Sequence, residues 1–232
     1  MSVRRPGFRP PANRLYAIVD TGFFGSEPAT VTSAVRILLD CGARWIQLRA
    51  KGLPELAAWG LADAVGRVFG EASGADREED APLLWINDNA VIAAALLASG
   101  PRVGLRVGLH LGQDDLPPAA ARRSVPPACP IGRSTHGRAQ AEEADGDAAV
   151  DALAIGPVFG TTTKERPDPV VGLAGVAEAR EVTSKPLIGI GGIDADRAPR
   201  VIEAGADAVA VVSALDPGDL AASCRRLLRA LA

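Results

Sequence analysis

Aromatic residues are scarce in this chain: five Phe, three Trp and one Tyr among 232 residues, or 4%. That leaves little material for a platform on which successive bases could stack. Basic residues are not in excess either. Lys and Arg number 25 against 28 Asp and Glu, a formal net charge of -3, so the electrostatic footprint of a nucleic-acid binder is missing. The three cysteines, Cys41, Cys129 and Cys224, are far apart, odd in number and form neither a C-x-x-C pair nor a zinc spacing. A reduced, cytoplasmic compartment is the simplest reading. Long apolar runs are absent too. The most apolar stretch, "AVIAAALLA" at 90–98, is far shorter than the about 20 residues that span a bilayer, so no membrane partner is expected. The N-terminal "MSVRRPGFRPP" has arginines with no apolar region behind them and does not read as a secretory signal. No tract is of low complexity, and "EASGADREED", Glu71 to Asp80, reads as a charged surface connection.

What is present is alternation. Short apolar runs, "LYAIVD" from Leu15, "WIQLR" from Trp45, "LLWIND" from Leu83 and "GLHLG" from Gly108, read as strands. "PIGRST" from Pro130, "ALAIGPVF" from Ala152, "PLIGIGG" from Pro186 and "AVAVVS" from Ala208 continue the series. Between them, segments such as Val31 to Cys41, Leu56 to Phe69, Ala198 to Ala204 and Leu220 to Leu231 carry apolar residues at helical spacing and are rich in alanine and leucine. Glycine follows two of these segments, after Cys41 and after Ala204, where it can take the left-handed turn that ends a helix. Strands that are apolar throughout fit a parallel sheet buried on both faces. Eight strands with intervening helices predict a single-domain α/β protein, a (β/α)8 TIM barrel spanning residues 14–232 behind a flexible extension at 1–13. A doubly wound open sheet would call for a glycine-rich fingerprint after the first strand, and "VDTGFFGSE" does not supply one.

In such a barrel the active site lies at the C-terminal ends of the strands. Here those ends are polar. Strand two finishes in Gln47, Arg49 and Lys51, strand three in Asn87 and Asp88, and strand four leads into His110, Gln113, Asp114 and Asp115. Strand five ends in Ser134, Thr135 and His136, and strand six runs into "GPVFGTTTKERPDP". Any one polar strand end could simply meet solvent. Read together, the types are complementary: cations at Arg49, Lys51 and Lys164 share one mouth with the carboxylates of Asp88 and Asp115. Carboxylates in a cationic mouth suggest a bridging hard metal such as Mg2+, held by one or two carboxylates and by substrate phosphate oxygens. That set fits a diphosphate better than a monophosphate. Paired glycines after strand seven, Gly191 and Gly192, with Val212 and Ser213 at the end of strand eight, match the phosphate site common to such barrels. The histidines lack the partners of a zinc site. No G-x-S-x-G elbow surrounds Ser134. Tyr16, Trp45 and Trp85 sit within strands and read as barrel packing, and Trp59 as helix packing.

The stretches "WIQLRAKG", "LWINDN", "GLHLGQDDLP", "IGRSTH", "IGPVFGTTTK", "GIGGI" and "GADAVAVVSAL", in this order, resemble the thiamine phosphate synthase family over strands two to eight. The resemblance implies a transferase of thiamine biosynthesis. It would couple an aminomethylpyrimidine methyl diphosphate to a (carboxy)thiazole phosphate, giving thiamine monophosphate and diphosphate. It places Gln47, Arg49, Lys51, Asn87, Ser134 and Lys164 on the pyrimidine diphosphate, with Leu48 and Ala50 in the same stretch. Thr161, Thr162, Thr163, Gly192, Val212 and Ser213 fall on the thiazole phosphate, and Asp88 and Asp115 on Mg2+. Arg49, Lys51 and Lys164 would carry the leaving-group chemistry. The partners implied are these small molecules, with the oligomeric state left open. Departures are Ala50, where glutamate is frequent in the family, and Val91, where aspartate is frequent. Arg133 is similar to the related thiazole tautomerase branch, an isomerase and the alternative function. A non-catalytic thiamine phosphate binder is the third.

Overall fold

All eight apolar runs form strands, and each strand is parallel to both of its neighbours. The structure is a computed structural model that describes residues 8–72, 81–99, 105–161 and 168–232. Along the first half of the chain the order is β1 (Leu15–Asp20), α1 (Thr21–Phe24), α2 (Pro28–Asp40), β2 (Trp45–Arg49), α3 (Glu55–Ala72), β3 (Leu83–Asn87), α4 (Ala90–Ala98) and β4 (Arg106–Leu111). The second half adds α5 (Pro118–Ala121), β5 (Ile131–Thr135), α6 (Arg138–Gly146), β6 (Ala152–Ile155), α7 (Gly172–Val182), β7 (Leu187–Ile190), α8 (Ala198–Glu203), β8 (Ala208–Val211) and α9 (Leu220–Leu231). β8 returns to β1, with Leu15 opposite Val209 and Ala17 opposite Val211, so the sheet closes into a barrel. No helix among the described residues is long and apolar enough to cross a membrane.

Strand residues alternate between two cores. Leu15, Ala17 and Val19 of β1 pack outward with the helices, on residues such as Val35, Leu38 and Leu227. Tyr16 and Ile18 turn inward with Trp45, Trp85, Ala154, Ile188 and Ala210. The interior is filled by matching sizes. Large rings from β1, β2 and β3 face small residues on the later strands, and a Cβ added at Gly108 would lie 2.7 Å from the Trp85 ring. Trp45 and Trp85 meet edge to face, with ring centroids 5.2 Å apart, an arrangement that aromatic quadrupoles favour. The barrel is therefore a packed core and not a pore. This filling has a cost: the buried Trp85 Nε1 has no hydrogen-bond partner among the described residues.

Residues 8–13 of the expected N-terminal extension are described, and they are anchored. Phe8 stacks on Trp45 at 5.4 Å and meets Trp85 edge-on at 6.0 Å. Asn13 Nδ2 donates to the Gly42 carbonyl at 2.6 Å. Gly42, just past α2, has a φ of 97° and its N–H bonds Leu39 O at 2.9 Å, the helix ending that the glycine there predicts. The N-terminal face is held by buried charge with full partnership: Asp151 accepts from Arg122 Nη2 at 2.6 Å and from the Ile131 N–H at 2.8 Å.

Cys41, at the end of α2, and Cys224, on α9, adjoin where the first long helix packs on the last. Cys41 Sγ lies 3.8 Å from the Ala221 carbonyl. Burial, together with the neighbouring Cys41 thiol, pushes the Cys224 thiol up to about 12. Cys129 and Cys224 are buried and Cys41 is half-buried. Since the thiolate is the reactive form, an aromatic disulfide reagent at pH 8 is expected to titrate one thiol quickly in the native protein. Denaturation should release all three, and Cys41→Ser should abolish the fast phase. A fast phase surviving that substitution would contradict the assignment.

Candidate active site

The alternation that fills the barrel also decides what reaches its mouth. Inward positions run Tyr16, Ile18, Asp20 on β1 and Gln47, Arg49 on β2, so the last inward layer is polar. With Asn87, His110, Ser134, Thr161, Gly192, Val212 and Ser213 these residues line a cavity of about 120 Å³ at the C-terminal end of the barrel. Eight residues expected on the two substrates therefore open on one space. Gln47, Arg49, Asn87 and Ser134 come from β2, β3 and β5, and Thr161, Gly192, Val212 and Ser213 from the segments after β6, β7 and β8. Lys51 is at the exposed rim, with its Nζ 3.7 Å from Asp88 Oδ2. Thr162, Thr163 and Lys164 lie outside the described residues.

Five expected residues among the described ones do not line this mouth: Leu48, Ala50, Lys51, Asp88 and Asp115. Leu48 is 3% exposed and belongs to the outer core under the helices. Ala50 packs against that same core and, with Leu48, Lys51 and Asp88, lines a separate cavity of about 220 Å³. Period two explains Leu48 and Ala50, since they follow the inward residues Gln47 and Arg49 by one.

Hydrogen bonds set the polar floor. Gln47 Nε2 donates to the Tyr16 hydroxyl at 2.7 Å, and burial pushes that phenol up from its ordinary pKa. Ser134 Oγ is 3.0 Å from His110 Nε2. Gln113 Nε2 donates to the Ser134 carbonyl. His136 Nδ1 lies 2.6 Å from the Gly156 carbonyl and therefore carries the proton, while its Nε2 is 3.5 Å from Asp168 Oδ2. Arg133 is occupied with structure: its Nη1 donates to the Gly112 carbonyl at 2.5 Å. Asp20, which the sequence reading passed over, is buried and pairs with Arg49.

Asp88 and Asp115 meet at the head of β3 and β4, within hydrogen-bonding reach of each other. Asp88 adopts a left-handed φ of 62°, and Asp115 Oδ2 accepts the Gly112 N–H at 2.6 Å. Burial pushes Asp88 up to about 6, and Asp115 adds to this as hydrogen-bond partner and like charge, against the opposing pull of Lys51 and Arg49. Two convergent, mutually repelling carboxylates are the donor chemistry of a hard divalent cation. No group of three or more His, Cys, Asp or Glu among the described residues could hold a metal by itself. The pair thus fits an ion whose remaining ligands are water and substrate oxygens, as Mg2+ prefers.

The family model described as thiamine monophosphate synthase matches residues 15–215. The thiamine-phosphate synthase of Koribacter versatilis (strain Ellin345) is 42% identical over 220 residues, 93% of this chain and 95% of that one. The protein of the same name from Moorella thermoacetica is 38% identical over 214 residues, 92% of this chain and 93% of its own. Among solved structures, thiamine phosphate pyrophosphorylase from Pyrococcus furiosus superposes with a TM-score of 0.75 at 28% identity, covering 94% of this chain and 95% of that one. A match spanning every barrel strand settles the relationship: the chain belongs to the thiamine monophosphate synthase family.

Proposed function

We propose that the protein is a thiamine phosphate synthase, a transferase that joins an aminopyrimidine methyl diphosphate to a thiazole phosphate and releases diphosphate. The observation that carries this is the Asp88–Asp115 pair beside the cations of Arg49 and Lys51, next to a cavity lined by Arg49, Asn87, Ser134, Thr161, Gly192 and Ser213. A thiazole isomerase needs one anion site and no metal-binding carboxylates. Arg133, the residue similar to that branch, is engaged with the Gly112 carbonyl instead.

In this reading Gln47, Asn87 and Ser134 orient the pyrimidine. Arg49, Lys51 and Lys164 take the diphosphate; Asp88 and Asp115 would hold Mg2+, which would supply further positive charge to it. The carbon–oxygen bond at the pyrimidine methylene breaks with its electron pair leaving on the diphosphate. The cations counter the charge that grows there, which lowers the barrier more than it tightens substrate binding. The aminopyrimidine donates electron density to the methylene cation. The thiazole nitrogen lone pair then forms the new carbon–nitrogen bond, held in place through its own phosphate by Thr161, Thr162, Thr163 and the Gly192 to Ser213 side. No protein nucleophile or base enters the balance. All three cysteines are free, which supports a cytoplasmic setting.

Purified protein with both substrates and Mg2+ should form thiamine monophosphate and diphosphate one for one, read by chromatography and a coupled diphosphate assay. Interconversion of thiazole carboxylates with no diphosphate released would instead make the protein an isomerase. Retention of thiamine phosphate without turnover would make it a binder.

A further inference from the structure

We infer that Asp20 is a positioning residue for the proposed reaction: it holds the Arg49 guanidinium in the orientation that receives the diphosphate. The inference rests on the reading of Arg49 as a diphosphate ligand. Its own ground is a carboxylate of the wrong sign for its place. The Asp20 side chain is 6% exposed, in a mouth lined for anions. Left to itself there it would repel a diphosphate and pay for its own desolvation.

The geometry gives it a task. Asp20 and Arg49 are register partners at the ends of the parallel pair β1–β2. Asp20 Oδ2 accepts from Arg49 Nη1, and Oδ1 accepts the Gly22 N–H at 2.7 Å. The second bond fixes the carboxylate rotamer, and the first fixes one corner of a planar fork of donors. Thr21 Oγ1 also donates to the Arg49 carbonyl at 3.4 Å. Among the described residues no other acceptor takes the remaining Arg49 N–H groups, so they stay available to a ligand. An arginine side chain has many rotamers, and ordering it before the ligand arrives removes that cost from binding and from the transition state. Capping the short α1 helix does not require the charge, because a neutral oxygen caps equally well. The charge on Asp20 is therefore spent on Arg49.

Asp20→Asn keeps a cap oxygen and removes the charge, and Asp20→Ser does the same with a smaller group should the first variant fold poorly. Calorimetric binding of inorganic diphosphate with Mg2+ is expected to weaken about 10-fold, and kcat to fall on the order of 10- to 100-fold, with the KM for thiazole phosphate unchanged. In an Arg49→Ala background the Asp20 substitution should cost nothing further, because the residue acts only through its partner. Equal or tighter diphosphate binding by the Asp20 variants would overturn the inference and make Asp20 a brake on anion affinity. A penalty that persists without Arg49 would overturn it as well. The binding measurement needs no turnover, so the two readings fail separately. A wild-type chain that binds diphosphate in an Asp20-dependent way but couples no substrates refutes the proposed function alone. A chain that couples them with no dependence on Asp20 refutes the positioning role alone.

Discussion

Turnover is expected to fall by at least about 1000-fold in excess EDTA and to return when Mg2+ is restored, because in the proposed reaction a divalent cation would carry part of the leaving-group stabilisation. Asp88→Asn should be nearly inactive even in high Mg2+. The physical reason is the state of the pair without an ion. Burial and Asp115 raise Asp88 to about 6. A raised folded pKa means that the native protein favours the protonated carboxyl. Its stabilising contribution is complete below the ordinary carboxylate value of about 3.9 and is lost as pH rises through about 6. At pH 7 in chelator the pair is therefore a liability, which a divalent cation offsets. Two consequences can be measured. The Mg2+ concentration for half-maximal activity should rise about 10-fold between pH 7.5 and pH 5, as the proton competes for Asp88. Asp88→Asn should melt a few degrees above the wild type when both are metal-free, since it removes the repulsion and asparagine tolerates a φ of 62°. Full activity in chelator, or an active Asp88→Asn protein, would remove the metal from the mechanism.

The fold was legible because a barrel strand announces itself twice, as an apolar run and by its place in a strict alternation with helices. All eight runs form strands, and Arg49, Asn87, Ser134, His136 and Ser213, at or just past the ends of their strands, line one mouth. What was not legible depends on register and on distant packing. Leu48 stood in a functional stretch, yet period two sends it outward to the helix layer; applying that period to "WIQLR" would have excluded it. Asp20 was missed because its partner is 29 residues away, and only the β1–β2 register sets the two side by side. A barrel assumption plus inward alternation from Tyr16 would have put Asp20 in the mouth. The His136–Asp168 approach joins the ends of different loops, for which local sequence carries no signal. Phe8, within the expected extension, meets the indole rings of Trp45 and Trp85, a contact between positions far apart in the chain for which local sequence carries no signal. Val91, flagged as a departure from the family, is 68% exposed at the start of α4, so its side chain is not needed for the core.

Gly192→Ala is expected to raise the KM for thiazole phosphate by about 100-fold or more and to lower Tm by about 5–15 °C. Gly192 has a φ of 62°, which costs about 1–2 kcal/mol for a residue with a Cβ. Space adds to the cost. A Cβ there would lie 2.4 Å from the Gly160 carbonyl oxygen and 3.1 Å from the Phe159 carbonyl carbon. Those atoms are backbone, so no side chain can swing away. They are also fixed from the other direction: the Val158 N–H bonds Ile190 O at 2.8 Å and the Phe159 N–H bonds Gly191 O at 3.0 Å. Arg197 completes the clamp, donating to Gly192 O at 2.7 Å with its guanidinium 5.0 Å over the Phe159 ring. Relief must come from separating the glycine turn after β7 from the loop after β6, at a further cost of about 1–3 kcal/mol. Those two segments carry Gly192 and Thr161, which both line the mouth, so stability and phosphate affinity should fall together. Gly60 provides the control. It lies inside α3, where an added Cβ meets nothing within 4 Å, and Gly60→Ala should leave both KM values unchanged while stabilising the helix by up to about 1 kcal/mol. A Gly192→Ala protein that melts early but binds thiazole phosphate normally would show that the close approach serves the barrel alone, and would move the phosphate away from the glycine turn.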